Sequence, residues 1–353
     1  VSFRVDGIIR DVYVLPKEIQ LAVITRVKVL SDLRTDEHKA AQDGRIKYSV
    51  RDKGPKFDIR VSIMPTYFGE NVVMRLLVET GEAFTLTNLG LSERDIAVVT
   101  NAIRDPYGMI LSTGPTGSGK TTSLYTILKM LNSPQVTIIT IEDPIEYSVA
   151  GITQIQANHQ VGLDFANGLR AILRQDPNIV MVGESRDQET AQIAVNAALT
   201  GHLLLSTIHT NDAATTLPRL VDMGVEPFLI ASTVNVAIGQ RLIRKICDGC
   251  REEYTLTKEQ LAAIGTSLPA GAITTSTKLY RGKGCARCDN TGYRGRVGIF
   301  EVLEVSPKIR EAISARANSA VIKDIAVKEG MLTMLNDAIA KAKAGWTSVE
   351  EIL

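Results

Sequence analysis

The sequence predicts an α/β fold: a mostly parallel sheet covered on both faces, preceded by a small α+β domain and followed by a cysteine-bearing segment and short helices. Three observations carry the prediction. Between residues 92 and 240, short apolar runs alternate with helical stretches, each run bounded by polar or glycine-rich turns, as in sheets whose strands are buried on both faces. One run leads into a glycine-rich turn and then an amphipathic helix. Beyond this stretch, the four cysteines fall into two Cys-x-x-Cys pairs with none left over.

At 353 residues the chain has room for two or more domains. Apolar residues make up 44% and charged residues 22%, the balance of a globular protein rather than a disordered one. No stretch approaches the roughly 18 apolar residues of a membrane span, so any membrane role is expected to run through partner proteins or the surface. Lys plus Arg number 40 against 39 for Asp plus Glu. Without a global basic field, nucleic-acid binding would have to rest on a local patch.

The chain opens on Val1-Ser-Phe-Arg-Val-Asp-Gly7, which reads as the end of a strand entering a turn, hence a domain truncated at its start. Residues 1–80 read as a small α+β domain. Its strand-like runs are Ile8 to Val14, Lys47 to Arg51, Phe57 to Ile63 and Val72 to Leu77. Its helix, about Lys17 to Leu30, places Ile19, Ala22, Val23, Val27 and Leu30 near helical spacing. Residues 81–91 lack periodicity and include Gly81 and Gly90, the composition of a linker. In 92–240 the strands are Met109 to Ser112, Val136 to Ile141, Ile179 to Val182 and Leu203 to Thr207, and Ala191, Ala194, Val195 and Ala198 mark a core-facing helix. Residues 241–298 hold the cysteine pairs. Residues 299–353 read as a helical subdomain, with Trp346 packing the last helix.

Gly114-Pro115-Thr116-Gly117-Ser118-Gly119-Lys120-Thr121 fits G-x-x-x-x-G-K-[ST] at every fixed position. An apolar strand precedes it, and Leu124, Ile127, Leu128 and Leu131 mark an amphipathic helix after it. Glycines there let successive backbone N–H groups face phosphates, and the helix N-terminus adds partial positive charge. Lys120 reaches the β- and γ-phosphates, the Thr121 hydroxyl ligates Mg²⁺, and Thr122 completes the cradle. The predicted ligand is ATP with Mg²⁺.

Phosphoryl transfer also needs a metal ligand, a group that orients water and positive charge at the γ-phosphate, placed at the carboxyl ends of the strands. Three strands end suitably. One ends in Glu142-Asp143-Pro144-Ile-Glu146, a second in Gly183-Glu184 where an Asp is usual, and the third is flanked by His202 and His209. Any one of these reads equally well as an exposed strand terminus. Three together downstream of a phosphate loop, with two of the four histidines in the third, point to function.

Cys247-Asp-Gly-Cys250 and Cys285-Ala-Arg-Cys288 each offer two thiolates from one tight turn, and together complete a tetrahedral Cys₄ site. Residues 251–284 separate them, about twice the usual spacing. Doubling a loop costs only about 0.6 kcal/mol, against about 10–16 kcal/mol from structural Zn²⁺. Two disulfides are the rival, but ATP use implies a reducing compartment where they are rare. A redox Cys-x-x-Cys is a weaker one. Four thiolates leave no open position, so the zinc is expected to be structural. Arg241, Arg244, Lys245 and Arg251 surround the first pair, and Arg281, Lys283, Arg287, Arg294 and Arg296 the second. They read as a basic face for a partner, anionic lipid or nucleic acid, or as ordinary solvated charge.

Here the residues meet a known pattern. Ile141-Glu-Asp-Pro-Ile-Glu146, Leu173-Arg-Gln-Asp-Pro-Asn-Ile-Val-Met-Val-Gly-Glu184 and Gly201-His-Leu-Leu-Leu-Ser-Thr-Ile-His-Thr-Asn211 resemble the Asp box, Walker B and His box of the secretion ATPases of type II secretion and type IV pili. Gln42-Asp-Gly-Arg45, Asp58-Ile-Arg-Val-Ser62 and Val73-Met-Arg-Leu76 extend the resemblance into the first domain. It implies a RecA-like P-loop motor core and a first domain that clamps nucleotide, with Arg60 and Arg75 swinging onto the γ-phosphate. It also implies Glu184 acting through Mg²⁺ and its waters, Glu142 or Glu146 polarising the attacking water, and His209 sensing the γ-phosphate. Ser185 stands where the family usually carries Ile.

By the same analogy the chain forms a homo-oligomer, a hexameric ring. It lies in the cytoplasm, peripheral at the inner membrane, and turns a membrane platform protein that drives pilin or pseudopilin into a filament. The tetracysteine segment favours the extension or export type over retraction. No nucleic-acid partner is expected. Two other classes stay open: a nucleic-acid motor of RecA type, and a scaffold that binds ATP without turning it over. Near-neutral charge and few aromatics beside the basic residues weigh against the first. The presence of Lys120, Glu142 and Glu184 weighs against the second.

Overall fold

The computed structural model describes residues 1–5, 8–50, 56–79, 85–264, 268–269 and 271–353. The chain divides into two compact units, residues 1–83 and 84–353.

In the first unit β1 (Ser2–Val5) and β2 (Ile8–Asp11) form a hairpin, and α1 (Gln20–Leu30) follows a short 3₁₀ turn. Then β3 (Gln42–Ser49), β4 (Lys56–Thr66) and β5 (Gly69–Glu79) make an antiparallel three-stranded sheet. Its apolar core is small, with Ile24, Val61 and Ile63 buried. Lys28 is also buried, its ammonium 2.6 Å from the Glu70 carboxylate. The register sets Arg60 directly opposite Arg45 on one side and Arg75 on the other. Of the predicted strand Lys47 to Arg51, residue 51 lies outside the described residues, as do Gly7 and Gly81.

The second unit opens with α2 (Leu86–Leu89), a single turn inside the expected linker, and α3 (Glu93–Ala102). There follow β6 (Gly108–Thr113), α4 (Lys120–Leu131), β7 (Ile138–Glu142), β8 (Thr153–Gln156), α5 (Phe165–Ile172), β9 (Ile179–Val182), α6 (Gln188–Leu199) and β10 (Leu203–Ile208). Next come α7 (Ala213–Asp222), α8 (Pro227–Thr233), β11 (Val234–Ile246), β12 (Arg251–Tyr254), α9 (Lys258–Ile264), β13 (Leu279–Gly282) and β14 (Tyr293–Glu304). The chain ends in α10 (Pro307–Ser314), α11 (Ser319–Lys328) and α12 (Met334–Lys343). Ser92, Asp164, Asp187, Asp212, Ser306, Asn318 and Thr333 each start a helix by accepting the N–H three residues on, which satisfies a donor the helix cannot.

One seven-stranded sheet, in the order β14-β11-β6-β10-β9-β7-β8, organises this unit. All neighbours are parallel except β11 and β14. Side chains alternate between two apolar cores. Met109, Leu111, Ile139, Ile141, Val180, Val182 and Leu204 face one, and Ile110, Ile138, Ile179, Met181 and Leu205 the other. That is why the strands read as continuous apolar runs. Ala191, Ala194, Val195 and Ala198 of α6 are buried, as their spacing predicts.

Two expected boundaries fall inside strands. The one at 240/241 cuts β11 and the one at 298/299 cuts β14, and the two strands pair antiparallel along the sheet edge. Residues after 298 are therefore part of the core rather than a subdomain beside it. Ile309, Ile313, Ile322 and Ala326 of α10 and α11 complete the same apolar cluster as Leu204 and Val182. Trp346, expected to pack the last helix, is about one-third exposed at 37%.

Candidate active site and metal centre

Parallel strands point their carboxyl ends the same way, and here those ends assemble the site. The phosphate loop follows β6, His209 follows β10, Glu184 follows β9 and Glu142 ends β7, on four strands that are consecutive in the sheet. None of these segments is a chain neighbour of the next. Strand order alone makes them adjacent.

The loop is shaped by glycines. Gly114 has φ +146° and Gly119 φ +92°, and a Cβ on Gly114 would stand 2.4 Å from the Gln240 carbonyl oxygen. Gln240, buried on β11, donates from its amide to the Ser118 carbonyl at 2.9 Å and holds the loop from beneath. Gly114→Ala is therefore expected to push the loop off Gln240 and weaken nucleotide binding by about tenfold or more. Calorimetric titration with a non-hydrolysable nucleotide checks this.

Lys120, at the start of α4, is buried and donates to the carbonyls of Gly114 (2.7 Å) and Pro115 (3.1 Å). Burial pushes its pKa down, and the nearby Glu184 carboxylate partly offsets this. Thr121 and Thr122 lie in the same first turn, both partly exposed, and Ser118 Oγ is buried without a hydrogen-bond partner.

Glu184 is largely buried. One of its oxygens, Oε2, lies 3.2 Å from His209 Nε2 and 2.6 Å from Arg186 Nε. Below it, Thr207 Oγ1 donates to the Gly183 carbonyl at 2.7 Å, and the Ser185 hydroxyl pairs with that of Ser206 at 3.0 Å. Ser185 is thus buried against the sheet. Thr113 Oγ1 donates to the Ile208 carbonyl at 2.9 Å and accepts the Thr210 N–H at 3.0 Å, tying the strand before the phosphate loop to the loop carrying His209. A cavity of about 370 Å³ opens beside these groups, lined by Gly114, Pro115, His209, Thr210, Asn211, Thr215 and Arg219.

Asp212, next in that loop, caps α7 by accepting from the Thr215 N–H (2.8 Å) and hydroxyl (2.5 Å). Burial alone would raise its pKa, but the Thr215 bonds and Lys323 outweigh burial and lower it. Removing a cap costs about 1 kcal/mol, and a depressed carboxylate stabilises fully above the unfolded value of about 3.9 and loses this as pH falls through its lowered folded value. Asp212→Ala is accordingly expected to lower the melting temperature at pH 7, the gap closing as pH falls through the lowered folded value. Thermal scans at pH 7 and in acid check both halves.

The two glutamates at the end of β7 differ in their surroundings. Glu142 is 3% exposed. It accepts from Thr140 Oγ1 (2.6 Å), from Gln154 Nε2 (3.2 Å) and from the Tyr125 hydroxyl. Glu146, four residues on, is half-buried. His202, paired with His209 in the sequence reading, sits at the opposite end of β10 and bonds the Ala197 carbonyl at 3.0 Å. Six residues of strand, about 20 Å, separate it from the site, because β10 carries the two histidines at its opposite ends. Arg60 and Arg75 belong to the first unit, as cross-strand partners on β4 and β5.

The four cysteine sulfurs all lie within 4.8 Å of one another. Cys247–Cys285 and Cys250–Cys288 are 3.8 Å apart and Cys285–Cys288 3.7 Å. A disulfide requires about 2.05 Å, whereas four sulfurs about 2.3 Å from a central zinc stand about 3.8 Å apart along each tetrahedron edge. The donor set therefore fits a tetrahedral metal. The β11–β14 ladder brings the knuckles together. Cys247 follows the end of β11, Cys285 and Cys288 precede β14, and Ile246 pairs with Tyr293. The intervening segment runs out and back through the β12–β13 hairpin.

Most surrounding basic residues have partners. Arg244 binds Glu351, Arg281 and Lys283 both bind Glu252, and Arg251 lies over the Tyr280 ring. Sequence reasoning missed Gln240, Tyr125 and Gln154.

A family model described as Type II/IV secretion system protein matches residues 1–353. The chain is 44% identical over its whole length to the type IV pilus assembly ATPase PilB of Myxococcus xanthus, covering 62% of that protein. To the type II secretion system protein E of Xanthomonas campestris pv. campestris it is 46% identical, covering 61%. It thus spans about three-fifths of the length of these relatives. The crystal structure of the pilus retraction motor PilT with bound ADP superposes with a TM-score of 0.66 at 26% identity, over 100% of this chain and 89% of that one. Among the described residues no helix is long and apolar enough to cross a membrane.

Proposed function

Because the chain belongs to the type II/IV secretion system protein family, we propose that it hydrolyses ATP and passes the work to assembly of a type IV pilus or type II secretion pseudopilus. The observation that carries this reading is the row formed by the phosphate loop, His209 and Glu184 on consecutive strands of one sheet edge. In this reading residues 114–122 cradle the triphosphate, and Lys120 leaves its loop carbonyls for the β- and γ-phosphates. Thr121, by its hydroxyl, and Glu184 would hold Mg²⁺, which would supply charge neutralisation at the transferred group. Glu146 polarises the attacking water, since it lacks the burial of Glu142. His209 reports the γ-phosphate to Glu184, and Arg60 and Arg75 supply further positive charge.

Cys247, Cys250, Cys285 and Cys288 hold a structural Zn²⁺, whose closed thiolate shell leaves no place for substrate. The working form is a homo-oligomeric ring, a hexamer, at the cytoplasmic face of the inner membrane. It acts there on a membrane platform protein and meets the membrane only through partners.

Steady-state ATPase of the purified chain, with and without single-stranded DNA, tests the core of this proposal. Mg²⁺-dependent turnover unchanged by DNA is expected. Strong stimulation by DNA, lost steeply with salt, would put a nucleic-acid motor in its place.

A further inference from the structure

The Glu142 carboxylate accepts three hydrogen bonds from within the protein. Its three donors come from three elements: Thr140 on β7 itself, Tyr125 on α4, the helix of the phosphate loop, and Gln154 on β8. Gln154 is equally committed. Its amide also points to the Tyr125 hydroxyl (3.1 Å) and the Tyr147 carbonyl (3.2 Å), and its oxygen accepts the Val149 N–H at 2.7 Å. The segment 143–149, which carries Glu146, is therefore fastened at both ends to one buried polar cluster. Its middle rests on α4, where the Tyr147 ring meets Tyr125 edge-on at 4.6 Å and Lys129 lies 5.3 Å above it. Burial, then the charge of Glu142, pushes the Tyr125 hydroxyl up and that of Tyr147 up to about 12. Tyr125 is thus a donor at any working pH.

We propose that Tyr125, Thr140 and Gln154 hold Glu142 as a buried anchor, and that the anchor positions Glu146 relative to the phosphate loop. Glu142 is on this view a positioning residue, and the carboxylate that touches the attacking water is Glu146. The inference rests on the hydrolytic reading above and adds the division of labour between the two acids. To polarise water itself, Glu142 would have to give up donors in a site that excludes solvent, leaving the Tyr125 hydroxyl and the Gln154 amide buried and unpaired.

The test uses the full chain and two readouts: kcat and KM for ATP, and amide hydrogen exchange of segment 143–149. Glu146→Gln should lower kcat by about 100-fold or more with KM and exchange unchanged. Tyr125→Phe, which removes a single hydroxyl, should lower kcat by about tenfold with KM unchanged and speed exchange of the segment several-fold. Glu142→Gln should do the same, and the double variant should be no worse than Glu142→Gln alone, because both changes break one connection. If Glu142→Gln were as inactive as Glu146→Gln with exchange unaltered, Glu142 would be the group on the water and the proposal would fall. Wild-type exchange and turnover in Tyr125→Phe would overturn it too, and that variant decides the matter if Glu142→Gln does not fold. Absence of turnover in the wild type would count against the hydrolytic reading. The exchange measurements would still show whether the anchor exists.

Discussion

Lys120→Ala is expected to reduce ATP turnover by about 10²–10³-fold, the loss seen when one preorganised charge-stabilising donor is removed. The ammonium sits at the first turn of α4, buried and, among the described residues, hydrogen-bonded to the carbonyls of Gly114 and Pro115. Those are neutral acceptors that a phosphate oxygen outbids. Its lowered pKa follows from burial, and an anion in the loop reverses that shift, so binding of the triphosphate favours the charged lysine. Glu184→Gln is expected to be as damaging to kcat while leaving nucleotide affinity nearly intact, since it removes charge at the metal and at His209 without touching the loop. A Lys120→Ala protein with ordinary turnover would refute the assignment of residues 114–122 as the catalytic cradle.

The second large effect concerns the cysteines. Elemental analysis is expected to find one zinc per chain, and a strong chelator at neutral pH is expected to melt residues 247–292 while the seven-stranded sheet persists. Structural zinc contributes about 10–16 kcal/mol in isolated peptides. This segment has little else to hold it, its own core being Leu256, Leu268, Ile273 and Leu279 against Ile339, Ala342 and Val349 of the C-terminal region. Cys247→Ser should act like the chelator, read as hydrogen exchange faster by orders of magnitude in the segment and little changed in β6 and β10. Because protons compete for thiolates, acid should release the metal, and stability of the segment should fall as pH drops. A metal-free chain that keeps its protection in chelator would show that backbone contacts such as Cys247 N–H to the Gly292 carbonyl, at 2.9 Å, are enough.

Much of this was legible in the chain itself. The phosphate loop is a contiguous run whose glycines, lysine and threonine do their work within one turn, so its meaning does not depend on the rest of the fold. The four core strands were readable because burial on both faces makes them uniformly apolar. β11 and β14 were harder. Their outer parts, such as Arg241 to Lys245 and Tyr293 to Arg296, run toward the cysteine knuckles and carry polar residues that mask the strand pattern. Two of the expected boundaries, at 240/241 and 298/299, fall where burial changes along one continuous strand.

What the sequence determined alone is local: the cradle, the acids and histidine at strand ends, and two knuckles of paired thiols. Tertiary structure decided everything that depends on which elements become neighbours. The sheet order put His209 beside Glu184. It also set Gln240 beneath the phosphate loop and enclosed Glu142 between Tyr125 and Gln154. Each of these contacts joins residues separated by a dozen to more than a hundred positions. Periodicity reports which face of an element is buried, but not what it is buried against.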